Sequence, residues 1–330
     1  MFTLDSPETK FALQAVQQAS LLVKQVQAEM AAHTLTKGDR SPVTVADFAS
    51  QALVGCLLAQ SFPNDPLVAE EDAHELRDPA QRHILDKVTG FVQSVLPAAT
   101  PELVCDWIDR GGAETGSRFW TLDPIDGTKG FLRGEQYAVA LALIVDGSVQ
   151  LGVLGCPNLS DGARLDLGGA GSLVVAVRGL GSWTTSLSLP GTLAPLHASR
   201  SHDPRAMRIL RSVEAGHTNA GLVDQLAADL NVQAAPVLMD SQGKYAVLAA
   251  GAGDLMVRLL SPDKPNYREK IWDQAAGSII IEEAGGCVTD LDGQPFDFTT
   301  GRSLLNNRGV VASNGAYHAL ALKTLRALGA

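Results

Sequence analysis

Cysteine is scarce in this sequence, and no cysteine has a neighbour at metal-binding or redox spacing. The chain has 4 cysteines in 330 residues, at positions 56, 105, 156 and 287, and none forms a Cys-x-x-Cys pair. Thiols so far apart are typical of a reduced intracellular protein rather than of a small disulfide scaffold. We therefore expect free, mostly buried thiols and a cytoplasmic protein.

Positive charge is also in short supply. The 26 lysines and arginines are outnumbered by 36 aspartates and glutamates, which gives a formal net charge of -10. A nucleic-acid polymer is an unsuitable partner, because phosphate backbones are bound by clustered basic residues, and no long basic tract occurs. An acidic protein can still bind a small anion where a metal ion and a few local cations invert the sign.

Long apolar runs and a signal-like N-terminus are absent. The longest strongly apolar run covers residues 137–145, which is far too short to span a bilayer. The first residues do not combine a basic stretch with an apolar one, as secretory signals do. We expect a cytoplasmic enzyme without a membrane partner, acting as a monomer, while targeting to an organelle stays open.

The composition favours an enzyme with mixed helices and strands. Hydrophobic residues make up 45% of the chain and aromatic residues only 5%, and there are 32 glycines to form turns. A chain of this length suits one large domain or two fused ones. Glycine, threonine and two prolines cluster at 190–195. We place the boundary there, between an α+β subdomain at 1–190 and an α/β subdomain at 191–330.

Local patterns predict several elements. Ser6-Pro7-Glu8 is typical of a helix start, and a second helix is expected from Thr44 to about residue 60. The apolar run 103–108 predicts a strand. Two further strands meet at Asp146-Gly147, which is typical of a tight hairpin turn.

The stretch 120–131 combines two carboxylates with a stiff turn. Its first half predicts a strand, which we expect Pro124 and Gly127 to end. Asp123 and Asp126 stand on either side of this break, and the N–H groups of Gly127 and Thr128 have no strand partner. Hard oxygens beside free N–H groups suit a divalent cation that holds a phosphate. The alternative is an ordinary turn with solvated carboxylates.

Three further acids lie at the ends of predicted elements. Asp47 has capping-box spacing from Thr44, so it either caps the second helix or serves the site. Glu70 follows a predicted buried strand and is either solvated or a metal ligand. Asp273 is either a helix N-cap or a ligand. Each ordinary role is reasonable alone, but the five acids together favour a shared metal site.

These residues carry a resemblance to a known family. Residues 120–131 resemble the signature of the lithium-sensitive, magnesium-dependent phosphatases related to inositol monophosphatase, and residues 272–277 resemble its second signature. The similarity covers nearly the whole chain. Three stretches resemble in particular the 3'(2'),5'-bisphosphate nucleotidases, namely residues 129–136, 240–245 and 267–273, and residues 41–47 also fit. One departure is Ala69-Glu70-Glu71-Asp72, where the family usually has Gly-Glu-Glu-Ser.

The resemblance implies a fold and a set of roles. The fold would be of the α/β class, a five-layered α/β/α/β/α arrangement like that of the sugar phosphatases. Asp47 and Thr128 would orient the attacking water, and two or three magnesium ions would be bound and lithium would inhibit. The implied magnesium ligands are Glu70, Asp123, Asp126, Asp273 and the carbonyl of Ile125. The implied substrate contacts are Gly127, Thr128, His217, Ser241, Lys244 and Arg258.

The implied reaction is removal of the 3'-phosphate of 3'-phosphoadenosine 5'-phosphate, which gives AMP and phosphate. The 3'-phosphate of the activated sulfate donor, 3'-phosphoadenosine 5'-phosphosulfate, is a second expected target. Lys244 and Arg258 are natural counter-ions for the 5'-phosphate, although each could instead be a solvated surface cation. Two alternatives remain: a phosphatase of inositol monophosphate or polyphosphates, and a non-catalytic nucleotide sensor.

Overall fold

A computed structural model describes residues 2–33, 41–213, 219–261 and 264–330. The α-helices in these ranges are α1 Pro7–His33, α2 Ser41–Ser61, α3 Arg82–Gln93, α4 Pro101–Asp109, α5 Thr128–Arg133, α6 Ala220–Asp229, α7 Gly243–Ala249, α8 Ala275–Glu283 and α9 His318–Ala327. The strands are β1 Leu67–Ala69, β2 Arg118–Asp126, β3 Ala138–Val145, β4 Ser148–Cys156, β5 Leu159–Ser160, β6 Arg164–Leu165, β7 Ser172–Val177, β8 Gly181–Ser186, β9 Ala194–Pro195, β10 Ile209–Arg211, β11 Val237–Leu238, β12 Leu255–Arg258, β13 Cys287–Thr289 and β14 Val310–Ser313.

The larger sheet is buried on both faces. Its strand order is β1-β2-β3-β4-β7-β8-β9, with β1 parallel to β2 and the other neighbours antiparallel. Side chains alternate along β3, so that Val139, Leu141 and Leu143 pack against the core under α1 and α2. Ala140 and Ala142 face the opposite side, where α8 packs. The small side chains on that side let α8 approach the sheet closely.

The smaller sheet is covered in the same way. Its order is β11-β10-β12-β14-β13, with β10 parallel to its neighbours β11 and β12, and the remaining pairs antiparallel. Met256 faces the core shared with α7 and α8, whereas Leu255 and Val257 face the core with α6 and α9. Helices α1 and α2, the large sheet, α7 and α8, the small sheet, and α6 and α9 form five layers. The predicted α/β/α/β/α arrangement is therefore confirmed.

Several predicted elements are confirmed and two are wrong in detail. Asp146 and Gly147 both have positive φ in the β3–β4 turn, as the hairpin pattern predicts. Helix α2 begins at Ser41 rather than at Thr44. Residues 103–108 form helix α4 instead of a strand, because Thr100 accepts a hydrogen bond from the Leu103 N–H and caps the helix ahead of Pro101.

The proposed boundary at residue 190 remains a prediction. Strand β9 at Ala194–Pro195 still pairs with β8, so the larger sheet continues a few residues beyond the boundary. No helix in the described ranges is both long and apolar enough to cross a bilayer.

A buried carboxylate fixes the start of the smaller sheet. The side chain of Asp254 is fully buried and accepts hydrogen bonds from the backbone N–H of Arg208 at 2.8 Å and from its Nε at 2.8 Å. Ser199 also donates to this carboxylate. Burial acts to raise the pKa of Asp254, but these hydrogen bonds outweigh burial and lower the pKa. The charged form therefore contributes to stability.

We predict that Asp254→Asn lowers the free energy of unfolding by about 2–3 kcal/mol, because an amide places donors against donors in a buried position. Since the folded pKa is depressed, the contribution is present above the unfolded pKa of about 3.9 and is lost as pH falls through the folded value. Urea unfolding at pH 7 and at about pH 3 measures the difference, which should shrink at the lower pH.

The matched control is Asp203→Asn, which removes an exposed carboxylate paired with Arg205 on the surface. It should change the free energy of unfolding by less than about 0.5 kcal/mol. An Asp254→Asn effect no larger than that of the control would contradict the prediction.

Candidate active site

Strand β2 carries Asp123 and Asp126 on either side of a bulge. Asp123 pairs with Ala140 and Asp126 with Ala138, so β2 holds one extra residue between them. Pro124 lies in this bulge, where it needs no N–H partner, and its carbonyl accepts a hydrogen bond from Ser50 at 3.0 Å. The prediction that Pro124 ends the strand is wrong, because the bulge accommodates it and pairing resumes at Asp126.

Gly127 turns the chain from β2 into α5. Its φ is +91°, and a Cβ at this position would lie 2.7 Å from the Cβ of Ser241. Gly130 makes a closer approach, since its Cβ would lie 2.0 Å from the carbonyl oxygen of Gln136. Helix α5 begins at Thr128, and the first N–H groups of a helix have no partner within it. This turn therefore offers backbone donors to an anion.

Glu70 follows directly after β1, and its position is fixed by hydrogen bonds to the backbone of the next residue, Glu71. The side-chain amide of Gln51 donates to the carbonyl of Glu71 at 2.6 Å and accepts from the Glu71 N–H at 3.0 Å. The same amide also donates to the carbonyl of Ile108 at 2.8 Å. Gln51 thus anchors the acidic loop to α2 and α4, while Glu70 itself is exposed.

Asp47 lies six residues inside α2, so it does not cap that helix. Its side chain is buried, and burial raises its pKa well above the usual value, with further increases from Glu71 and Glu70. The fold therefore brings the Asp47 carboxylate into the field of the acidic loop.

Gln242 connects the turn that carries Asp126 to the segment that carries Asp273. Its backbone N–H donates to the carboxylate of Asp126. Its buried side chain donates to the carbonyl of Trp272 at 3.0 Å and accepts from the N–H of Gly277 at 3.2 Å. Asp273, which follows Trp272, is thereby tied to the same turn as Asp126.

Four of these carboxylates line one cavity of about 490 Å³. They are Glu70, Asp123, Asp126 and Asp273. Removal from water inside the cavity raises the pKa of each carboxyl group, even that of Glu70, which keeps part of its surface exposed. Repulsion from nearby carboxylates raises these pKa values further, although Lys244 and Arg258 oppose the increase at Asp126. For Asp273 the pKa rises to about 8. Such mutual repulsion is typical of a site that binds cations.

The donors suit a hard divalent cation. Carboxylate oxygens are the preferred ligands of magnesium, and the buried Oδ1 of Asp123 has no hydrogen-bond partner. The side chains are nevertheless spread apart: in the ranges described, no three Asp, Glu, His or Cys side chains stand close enough to hold a metal ion. Like charges repel, so carboxylates without a cation between them tend to stay apart.

The cavity also holds the candidate substrate cations. Lys244 and Arg258 both line it, together with Gly127, Thr128 and Ser241. Burial lowers the pKa of Lys244 to about 8, although Asp126 acts in the opposite direction. Ser241 has a positive φ of 68°, which is unusual for a residue with a side chain. His217 lies outside the described residues.

Arg258 belongs to a buried polar network. Its Nε lies 3.1 Å from Oε1 of Glu269, whose other oxygen accepts from Gln274 at 3.0 Å. Gln274 in turn accepts from the hydroxyl of Tyr245. Burial acts to lower the pKa of Arg258, but Glu269 and Asp273 outweigh burial and raise it. The guanidinium is therefore charged and oriented, with about a third of its side chain exposed.

Comparison with known proteins agrees with this architecture. The model of the inositol monophosphatase family matches residues 4–330, and the chain belongs to this family. A 3'(2'),5'-bisphosphate nucleotidase of Schizosaccharomyces pombe is 42% identical, over 98% of this chain and 95% of that protein. A protein of the same name in Oryza sativa is 43% identical, over 93% of this chain and 90% of that one.

Solved structures share the fold. The inositol monophosphatase of Anabaena (Nostoc) superposes with a TM-score of 0.63 at 20% identity, covering 96% of this chain and 94% of that chain. The Thermotoga maritima IMPase superposes with a TM-score of 0.64 at 19% identity, covering 98% of both. These likenesses support the layered fold.

The structure adds residues that the sequence analysis missed. Gln242 and Glu269 lie inside stretches that carry the family resemblance, so their position in the motifs was the available signal. Gln51 gave no signal, because its partners are 20 and 57 residues away.

We predict that Gln242→Met lowers the free energy of unfolding by about 2–4 kcal/mol. Methionine has a similar length but leaves the Trp272 carbonyl and the Gly277 N–H buried without partners. Urea unfolding measures the effect. Gln233→Met, at an exposed position, is the control and should stay within about 0.5 kcal/mol of the parent; equal effects of the two changes would contradict the prediction.

Proposed function

We propose that this protein is a magnesium-dependent 3'(2'),5'-bisphosphate nucleotidase. It removes the 3'-phosphate of 3'-phosphoadenosine 5'-phosphate, giving AMP and phosphate, and it also accepts 3'-phosphoadenosine 5'-phosphosulfate. The observation that carries the proposal is a single cavity lined by four carboxylates and by the cations Lys244 and Arg258. Relatives of that name, about 42% identical over nearly the whole chain, support it.

The carboxylate side of the cavity is proposed to bind two or three magnesium ions, with lithium as an inhibitor. The ligands would be Glu70, Asp123, Asp126, Asp273 and the carbonyl of Ile125. Bound magnesium would supply a water of lowered pKa and would offset the charge of the leaving oxygen. Asp47 and Thr128 would hold that water in line with the phosphorus, and the N–H groups of Gly127 and Thr128 would bind phosphate oxygens.

The cationic side is proposed to choose the substrate. Lys244 and Arg258 would bind the 5'-phosphate, with Ser241 and His217 near the nucleoside. An inositol phosphate offers no equivalent 5'-phosphate, so these cations distinguish the two substrate classes. The monomeric state and the cytoplasmic location remain predictions.

Phosphate release from 3'-phosphoadenosine 5'-phosphate tests the activity directly. We expect turnover in magnesium, none in excess chelator, and much slower release from inositol 1-phosphate. Full activity in chelator would refute the metal-dependent reaction, and preference for inositol 1-phosphate would favour the alternative enzyme. Absence of turnover despite tight nucleotide binding would identify a sensor.

For the water-orienting role, we predict that Asp47→Asn lowers kcat by about 10²–10⁴-fold, since a neutral amide is a poor proton acceptor. The melting temperature should not fall, because burial and the neighbouring Glu71 and Glu70 disfavour the charged form of Asp47 in the folded protein. Asp106→Asn, on the surface of α4, is the control. Undiminished kcat in Asp47→Asn would exclude the role.

For the 5'-phosphate, we predict that Arg258→Ala weakens binding of the bisphosphate by about 1–3 kcal/mol, measured as an increase in KM. Glu269→Gln should raise the same KM to a lesser extent, because Arg258 remains but loses its orienting charge. With 3'-AMP, which has no 5'-phosphate, both variants should match the parent. Equal losses for the two substrates would argue against this assignment, and Arg164→Ala, an exposed arginine, serves as control.

A further inference from the structure

A segment near the C-terminus lies alongside the approach to Asp273. Ser303 forms an antiparallel bridge with Lys270, the Ile271 N–H donates to the carbonyl of Arg302 at 3.2 Å, and the Leu304 N–H donates to the carbonyl of Glu269 at 2.9 Å. This short ladder holds the backbone of the segment beside the chain that leads into Asp273.

The side chain of Arg302 extends from this ladder to the other half of the molecule. Its Nη1 donates to the carbonyl of Gly111 at 3.0 Å, and its Nη2 donates to the carbonyl of Ala69. Its guanidinium carbon lies 4.9 Å from the centroid of the Trp272 ring. Among the described residues we find no ion pair to this guanidinium, so its planar fork serves two neutral carbonyls and an aromatic face.

These contacts fall directly next to two proposed magnesium ligands. Ala69 immediately precedes Glu70, and Trp272 immediately precedes Asp273. Glu71, on the other side of Glu70, is held in both directions by Gln51. Arg302 therefore completes the fixation of the Glu70 backbone and ties it to the segment that carries Asp273, 203 positions further along the chain.

We propose that Arg302 is a positioning residue that sets the spacing of Glu70 and Asp273 across the cavity, and so determines the affinity for magnesium. The inference rests on the proposed function for the identity of the ligands. The residue acts through backbone carbonyls and the Trp272 ring rather than by touching substrate. Outer groups that orient metal ligands typically change affinity by about 10–100-fold when they are removed.

If Arg302 acted only through its charge, its removal would change the magnesium affinity in the opposite direction. Arg302 is a cation close to a cavity that is to hold more cations, so loss of its charge alone should tighten magnesium binding. Loss of its positioning contacts should weaken binding. The direction of the change in affinity therefore separates the two effects.

The experiment is calorimetric titration of magnesium into the whole 330-residue chain without substrate. We expect Arg302→Met, which keeps an apolar stem beside Trp272, to raise the Kd about 10-fold or more. Arg302→Lys keeps the charge but lacks the fork, and it should also weaken binding. In activity assays, kcat should return to within about threefold of the parent once magnesium is saturating, with only the required concentration increased.

Arg308→Met is the matched control, because Arg308 is a partly exposed arginine near the same segment and faces Asp292. Its magnesium affinity should be unchanged. Unchanged or tighter binding in Arg302→Met overturns the proposal, and so does parent-like binding in Arg302→Lys. If Arg302→Met does not fold, Arg302→Lys decides. Magnesium binding without nucleotide turnover would refute the proposed function and leave this inference standing.

Discussion

Repulsion between carboxylates is the constraint on which the rest of this structure depends. Burial raises the pKa of all four cavity carboxylates, and repulsion from the others adds to the increase for Glu70, Asp123 and Asp273. Within the described part of the chain, no short ion pair is formed by any of the four. Hydrogen bonds hold the chain around them: Gln51 donates to the carbonyl of Glu71, and Arg302 donates to the carbonyl of Ala69. The backbone N–H of Gln242 donates to the Asp126 carboxylate itself. The contacts of Gln51 and Arg302 end on backbone carbonyls rather than on carboxylates, so they fix the position of the acidic loop without pairing its negative charge.

The layered architecture explains how distant parts of the sequence share this cavity. Strands β1 and β2 bring Glu70, Asp123 and Asp126 to one edge of the larger sheet. The segment leading into α8 brings Asp273, and α7 with β12 brings Lys244 and Arg258. Helices α7 and α8 lie between the sheets, so one middle layer presents groups of both signs to the same space. The carboxylates and the cations that line the cavity therefore come from different elements.

Short motifs in the sequence predict the parts of the site whose residues lie close together along the chain. Proline, glycine and two acids within residues 123–127 predict a turn there. The bulge that accommodates Pro124 depends on pairing with β3, so no local sequence pattern predicts it. The strand predicted for residues 103–108 is wrong because a short apolar run suits a strand or a buried helix equally well. The cap at Thr100 makes this segment a helix. Gln51 and Arg302 could not be predicted, since their partners are set by tertiary packing.

The burial of helix α8 determines whether the chain could be divided into two independent domains. Every residue from Ala275 to Ile281 is buried, with one side of the helix against the larger sheet and the other against the smaller one. A chain divided near residue 195 would leave the first fragment with a bare sheet face and the second with an uncovered helix. Each fragment would then expose a large apolar surface and tend to aggregate. The parts of the chain before and after residue 195 therefore depend on each other for a covered core.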